Sequence, residues 1–167
     1  MRTIKFRGKR IDNGEWVYGG FHKHQLVTPS PFIPKGEKPK EIEYAYLIIE
    51  SGFSDWNLPN PLLAHEVMPE TVGQFIGLHD SKRTEEYPKG QPIYEGDICA
   101  VTDPDGEPDN LCIVAYDEKA GGYTYAPEYG YGDFDISTIG WAQEMGYKFV
   151  VIGNIYETPE LLGGDSE

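Results

Sequence analysis

Four carboxylates crowd the seven residues Asp103-Pro104-Asp105-Gly106-Glu107-Pro108-Asp109, a composition that can bind a hard cation through oxygen. An EF-hand loop places glycine at its sixth position and glutamate at its twelfth. Counted from Asp103, Gly106 falls fourth and Val114 twelfth, so this is not that loop. The apolar runs on either side, Ile98-Cys99-Ala100-Val101 and Leu111-Cys112-Ile113-Val114, read as strands, and Asp105-Gly106 suits a hairpin turn between them. A solvated turn is the expected role. A hairpin closed symmetrically about Asp105-Gly106 sets Cys99 opposite Cys112, although Pro104 and Pro108 can open the loop and shift that register. No lysine or histidine stands near either cysteine in sequence to lower its pKa, so a buried apolar pair is favoured over a redox pair. His22 and His24 share one face of a strand, a spacing that zinc accepts if other ligands come from elsewhere, while His65 and His79 lie in no HxxxH or CxxC context. Structural histidines are expected, with no metal and no cofactor. The chain carries no Walker loop, GxGxxG, HExxH or nucleophile elbow, and no catalytic residues are assigned.

A different kind of chemistry is suggested by Tyr123, Tyr125, Tyr129, Tyr131 and Phe134, which are interleaved with Gly121, Gly122, Gly130 and Gly132. Large amphipathic rings with few lysines are the composition of protein-binding surfaces, and these five residues are the expected binding site. The same rings could instead pack over a sheet, and the sequence does not separate the two roles.

Charge narrows the partners. Residues 1–90 hold twelve Lys/Arg and twelve Asp/Glu, whereas residues 91–167 hold only Lys119 and Lys148 against sixteen acids, so the whole net charge of −14 lies in the second half. Polyanions are bound by cations that replace counterions at phosphates, so nucleic-acid binding by the second half is disfavoured. Arg2, Lys5, Arg7, Lys9 and Arg10 form the one basic cluster. No stretch approaches the roughly 20 apolar residues of a membrane span, and no signal-peptide core follows the basic N-terminus. Two cysteines without CxxC fit a reducing compartment, so a cytoplasmic location is expected.

The elements that must position these residues are mostly strands. Ile4, Phe6 and Gly8 alternate with Lys5, Arg7 and Lys9, which predicts a strand over 3–9; Asp12-Asn13-Gly14 predicts a turn, and the alternation from Glu15 to His24 predicts the second strand of a hairpin. Residues 28–40 carry four prolines and predict an extended loop, Tyr44–Glu50 predicts a strand, and SGFSDWNLPNP predicts another loop. Beyond residue 62 come short apolar elements separated by glycines, the pattern of a small antiparallel barrel or strongly bent sheet. Helix signals are confined to Asp135–Met145 and to Thr158-Pro159-Glu160, an N-cap with proline at the first helical position. Leu161 and Leu162 behind it are expected to plug the barrel end.

Three blocks in order, MRTIKFRGKR, PETVGQFIGLHD with PIYEGDICAV, and VIGNIYETPELL, resemble the YopX family of phage and prophage proteins. The resemblance spans nearly the whole chain and implies a single mainly β domain over 1–167. Its parts are an N-terminal hairpin with long loops (1–61) and a small antiparallel SH3-like barrel (62–167), with little helix, encoded by a mobile element. It brings no catalytic residues with it. The segment DSKRTEEYPKGQP and the proline-rich segment 28–43 exceed the family pattern and are expected as exposed loops. Within the shared blocks, Gly96 and Asp97 read as a tight bend with a carboxylate accepting backbone N–H groups, and Gly153-Asn154 as a bulge. The function expected is a binding module for a protein partner or a second copy of itself, ahead of a nucleic-acid-binding or DNA-mimicking protein, with an enzyme last.

Overall fold

The computed structural model describes residues 3–38, 41–119, 121–127 and 138–163. The chain is mainly β, with antiparallel pairing in every described ladder. It divides into two compact units, one of Lys5–Val72 and one that runs from Gly73 onward.

In the N-terminal unit the strands are β1 (Phe6–Lys9), β2 (Trp16–Gln25), β3 (Tyr44–Ser51) and β4 (Leu62–Glu66), in the order β4-β3-β2-β1. The predicted hairpin is present. Its turn is closed by Arg10 N–H donating to the Glu15 carbonyl at 2.9 Å, while the Asn13 side-chain oxygen accepts from Glu15 N–H at 3.0 Å. The first strand begins at Phe6 rather than at residue 3. Beyond β4 the chain turns back beside the end of β1: Ile11 N–H donates to the Glu66 carbonyl at 3.1 Å and Met68 N–H to the Lys9 carbonyl at 2.9 Å. The residues just past β1 and β4 therefore bridge at one end of the sheet, and Ile48 and Val67 are fully buried.

In the C-terminal unit β5 (Gly73–His79) pairs with β6 (Pro92–Tyr94). A four-stranded sheet is formed by β7 (Asp97–Thr102), β8 (Pro108–Asp117), β9 (Gly122–Pro127) and β10 (Lys148–Asn154), in the order β10-β7-β8-β9. A short helix, α1 (Ile139–Glu144), lies within the segment predicted for it and is capped by Thr138, whose hydroxyl accepts from Trp141 N–H. Ile139 and Ala142 point inward to a core of Ile76, Ile93, Cys99, Val101, Cys112, Val114 and Phe149. The expected SH3-like barrel is corrected here. Among the described residues of this unit no ring of strand pairings closes; the four-stranded sheet stays open, and the helix covers apolar surface that a closed barrel would have turned inward.

Two bends shape this unit. At Gly96 the backbone takes φ +82°, and the buried Asp97 carboxylate accepts Tyr94 N–H at 2.7 Å, as the sequence suggested. In β10 the register against β7 shifts between Val151 and Gly153, so the predicted bulge is present. Its glycine is required by crowding rather than by a left-handed backbone: a Cβ on Gly153 would sit 2.0 Å from the Thr158 hydroxyl. That hydroxyl accepts from Asn154 N–H and donates to the Asn154 carbonyl, so Thr158 pins the bulge instead of capping the 3-10 turn Pro159–Leu162. The plug expected of Leu161 and Leu162 is also corrected: no residue of that turn is buried, and Leu161 remains 37% exposed.

Candidate binding surfaces

The carboxylate-rich segment is a turn. Asp103 N–H donates to the Glu107 carbonyl at 3.0 Å and the Asp103 side chain accepts Glu107 N–H at 2.9 Å, so the carboxylate serves the backbone of the hairpin. No group of three or more His, Cys, Asp or Glu among the described residues is placed to hold a metal ion. His22 and His24 stack loosely on one exposed strand face, with ring centroids 5.8 Å apart.

Cys99 and Cys112 are direct cross-strand partners, both buried and both free thiols. The register does shift, but only beyond Ala100, so the cysteines stay opposite each other. The hydrogen bond with Cys112 and then burial push the Cys99 thiol well above the ordinary cysteine range. Such a thiol is a small apolar core group, not a nucleophile.

The predicted aromatic site is split. Tyr129, Tyr131 and Phe134 lie outside the described residues. Tyr125 packs edge-on against the buried Phe149, with ring centroids 5.4 Å apart. Tyr123 faces its cross-strand partner Tyr116, ring centroids 5.3 Å apart and nearly perpendicular, and Tyr116 is 50% exposed. These two rings line a concave, open surface of about 500 Å³ with Gln74, Glu95, Gly121 and Gly122. Sequence reasoning missed Tyr116, Gln74 and Glu95, because only strand pairing brings them beside Tyr123.

The N-terminal unit presents a second surface. Loop residues Phe53 and Trp56 meet edge-on at 6.3 Å between ring centroids, yet they are 79% and 82% exposed. Leu58 is exposed beside them in sequence, and Leu62, which opens β4, is 77% exposed. The loop is nevertheless built. Gly52 N–H donates to the Pro61 carbonyl at 2.8 Å, Ser54 N–H to the Asn60 side chain at 3.2 Å, and Leu58 N–H to the Asp55 carbonyl at 3.1 Å. The proline-rich loop holds a hollow of about 320 Å³ whose lining includes Val27, Pro29, Phe32, Ile33 and Pro34. Aromatic residues among prolines and asparagines carried the only sequence signal for these loops, and it did not say which rings stay outside.

Four cations of this unit are engaged internally. Arg7 lies over the Trp16 ring at 4.9 Å, Lys5 over Tyr18 at 5.3 Å and Lys23 over Tyr44 at 4.2 Å, while the Arg10 guanidinium pairs with Asp12 and holds that carboxyl below the usual range. No helix among the described residues is long and apolar enough to cross a membrane.

Comparison with known proteins agrees with the ordered sequence blocks. A segment of 76 residues, 46% of this chain, is 30% identical to the SPbeta prophage-derived uncharacterized protein YopX of Bacillus subtilis (strain 168), and it spans 54% of that protein, about half its length. The crystal structure of protein EF1440 from Enterococcus faecalis is similar over 98% of this chain and 100% of its own, at 20% identity and a TM-score of 0.44. The family model for YopX protein matches residues 5–163, and the chain belongs to the YopX family.

Proposed function

We propose that this chain is a prophage-borne, cytoplasmic protein-interaction module that engages a partner protein through the apolar loop of its N-terminal unit. One observation carries the reading: Trp56 is 82% exposed against Phe53 on a loop whose own hydrogen bonds fix it. A soluble domain that exposes a tryptophan, a phenylalanine and two leucines close together in sequence gives up burial worth about 1.5–3 kcal/mol for each large apolar side chain. A binding partner recovers that burial, and tryptophan is foremost among residues that anchor protein interfaces. The prophage origin rests on the printed source of the similar Bacillus subtilis protein. The cytoplasmic location rests on the two buried free thiols.

Nucleic-acid binding is the weaker reading. It needs cations and aromatic faces open to phosphates and bases, whereas here Lys5, Arg7 and Lys23 already cover the rings of Tyr18, Trp16 and Tyr44. The deciding experiment is capture from a lysate of the native host by the wild-type chain and by a variant carrying Phe53→Ser and Trp56→Ser. The expected result is a saturable protein partner whose recovery falls about tenfold or more in the variant, with the melting temperature preserved. Equal recovery by both chains would sink the proposal.

A further inference from the structure

We infer that the concave surface between Tyr116, Tyr123, Gln74 and Glu95 is a receptor for an arginine side chain of a partner polypeptide. The inference rests on the reading of this chain as an interaction module but uses a different surface, in the other unit. The surface is assembled by pairing. Tyr116 and Tyr123 are opposite each other on β8 and β9, and Gln74 and Glu95 are joined because Glu95 N–H donates to the Gln74 carbonyl at 2.9 Å. Gly121 and Gly122 complete the lining without side chains of their own, and the open space between these groups is about 500 Å³, room for a long side chain and its backbone.

The chemistry of the lining selects the occupant. The two rings stand nearly perpendicular, at 73°, and half of Tyr116 is open to solvent, so an aromatic face is available to a flat group. One carboxylate, Glu95, and one carboxamide, Gln74, supply oxygen acceptors. Guanidinium is the side-chain group that uses both features: it is planar, always charged, stacks on aromatic faces and donates a fork of N–H groups to carboxylate and amide oxygens. A metal ion is poorly served by a single carboxylate, and an anion is repelled. Sixteen acids against Lys119 and Lys148 in residues 91–167 give this half of the chain a field that draws cationic segments toward it.

The test is titration of the full chain with N-acetyl-arginine amide and, in parallel, its uncharged isostere N-acetyl-citrulline amide, followed by amide chemical shifts. The arginine compound is expected to give saturable shifts at Gln74, Glu95, Tyr116 and Tyr123, with the citrulline compound about tenfold weaker. Glu95→Gln should weaken arginine binding by a similar factor, Tyr116→Ala should also weaken it, and Tyr116→Phe, which keeps the ring, should retain it. Equal binding of the two compounds, or no saturable shift at these residues, would overturn the inference. Arginine binding lost in the Tyr116 and Glu95 variants but untouched by Phe53→Ser with Trp56→Ser separates this surface from the apolar loop. Conversely, partner capture that still depends on Trp56 in a chain showing no arginine shifts would refute the cleft alone.

Discussion

In the C-terminal unit Phe149 is fully buried with Tyr125 set edge-on against it, whereas in the N-terminal unit Phe53 and Trp56 adopt a similar edge-on contact with most of both rings in solvent. The same pairwise geometry thus serves two purposes. Phe149 touches a cluster that includes Cys99, Val101 and Val114 and is enclosed from every side, so its ring contributes to folding. Phe53 and Trp56 have each other and a polar hydrogen-bonded loop, which fixes their position without removing them from water. An aromatic contact therefore says little about role until the exposure of the rings is known.

Truncating the buried ring should have the largest consequence. Phe149→Ala is expected to cost about 3–5 kcal/mol in urea unfolding, the range for removing a buried aromatic side chain. Trp56→Ala should cost no more than about 0.5 kcal/mol, as exposed positions usually do. If the two costs were similar, the contrast between the units would be lost. An effect smaller than that of Phe149→Ala sharpens the comparison from the backbone side. Gly153→Ala puts a Cβ where the Thr158 hydroxyl stands, and should destabilise the bulge by about 1–3 kcal/mol. Adding Thr158→Ala removes the clashing oxygen, so the double variant should be less destabilised than the two single costs added together; strict additivity would mean the crowding is not the cause.

Much of the fold was legible because period-two alternation and turn chemistry act locally. The Asp12-Asn13-Gly14 hairpin, the bend at Gly96 with Asp97 and the opposition of Cys99 and Cys112 all follow from short stretches of chain. What failed was non-local. Closure of a barrel depends on which edges meet, and the Leu161-Leu162 plug depends on what lies beneath it; neither is encoded in strand spacing. Thr158 shows the limit within a single motif: its position before proline reads as a helix cap, but the hydroxyl is taken by Asn154 across the bulge.

The surfaces were less legible than the fold. Tyr123 stood out in the sequence, yet Tyr116 and Gln74 lie on other strands and Glu95 in the turn after β6, and they converge only through pairing. Tyr125, two residues away on the same strand face, sits deeper and packs edge-on against the buried Phe149, whereas Tyr123 meets the half-exposed Tyr116. In the loop 52–61, the sequence offers Phe53, Trp56 and Leu58 without any periodicity to say which face is buried, so their exposure emerges only from the hydrogen bonds that shape the loop.

Those bonds are also where the central claim is most exposed, since a binding surface needs rings held in place rather than rings on a loose chain. Hydrogen exchange of the amides of Gly52, Ser54 and Leu58 measures this directly. Donation to the Pro61 carbonyl, the Asn60 side chain and the Asp55 carbonyl should slow all three by about tenfold or more relative to an unstructured peptide of the same sequence. Exchange of all three at the peptide rate would show that the loop is not built, and would contradict the reading of Phe53 and Trp56 as a preformed interaction surface.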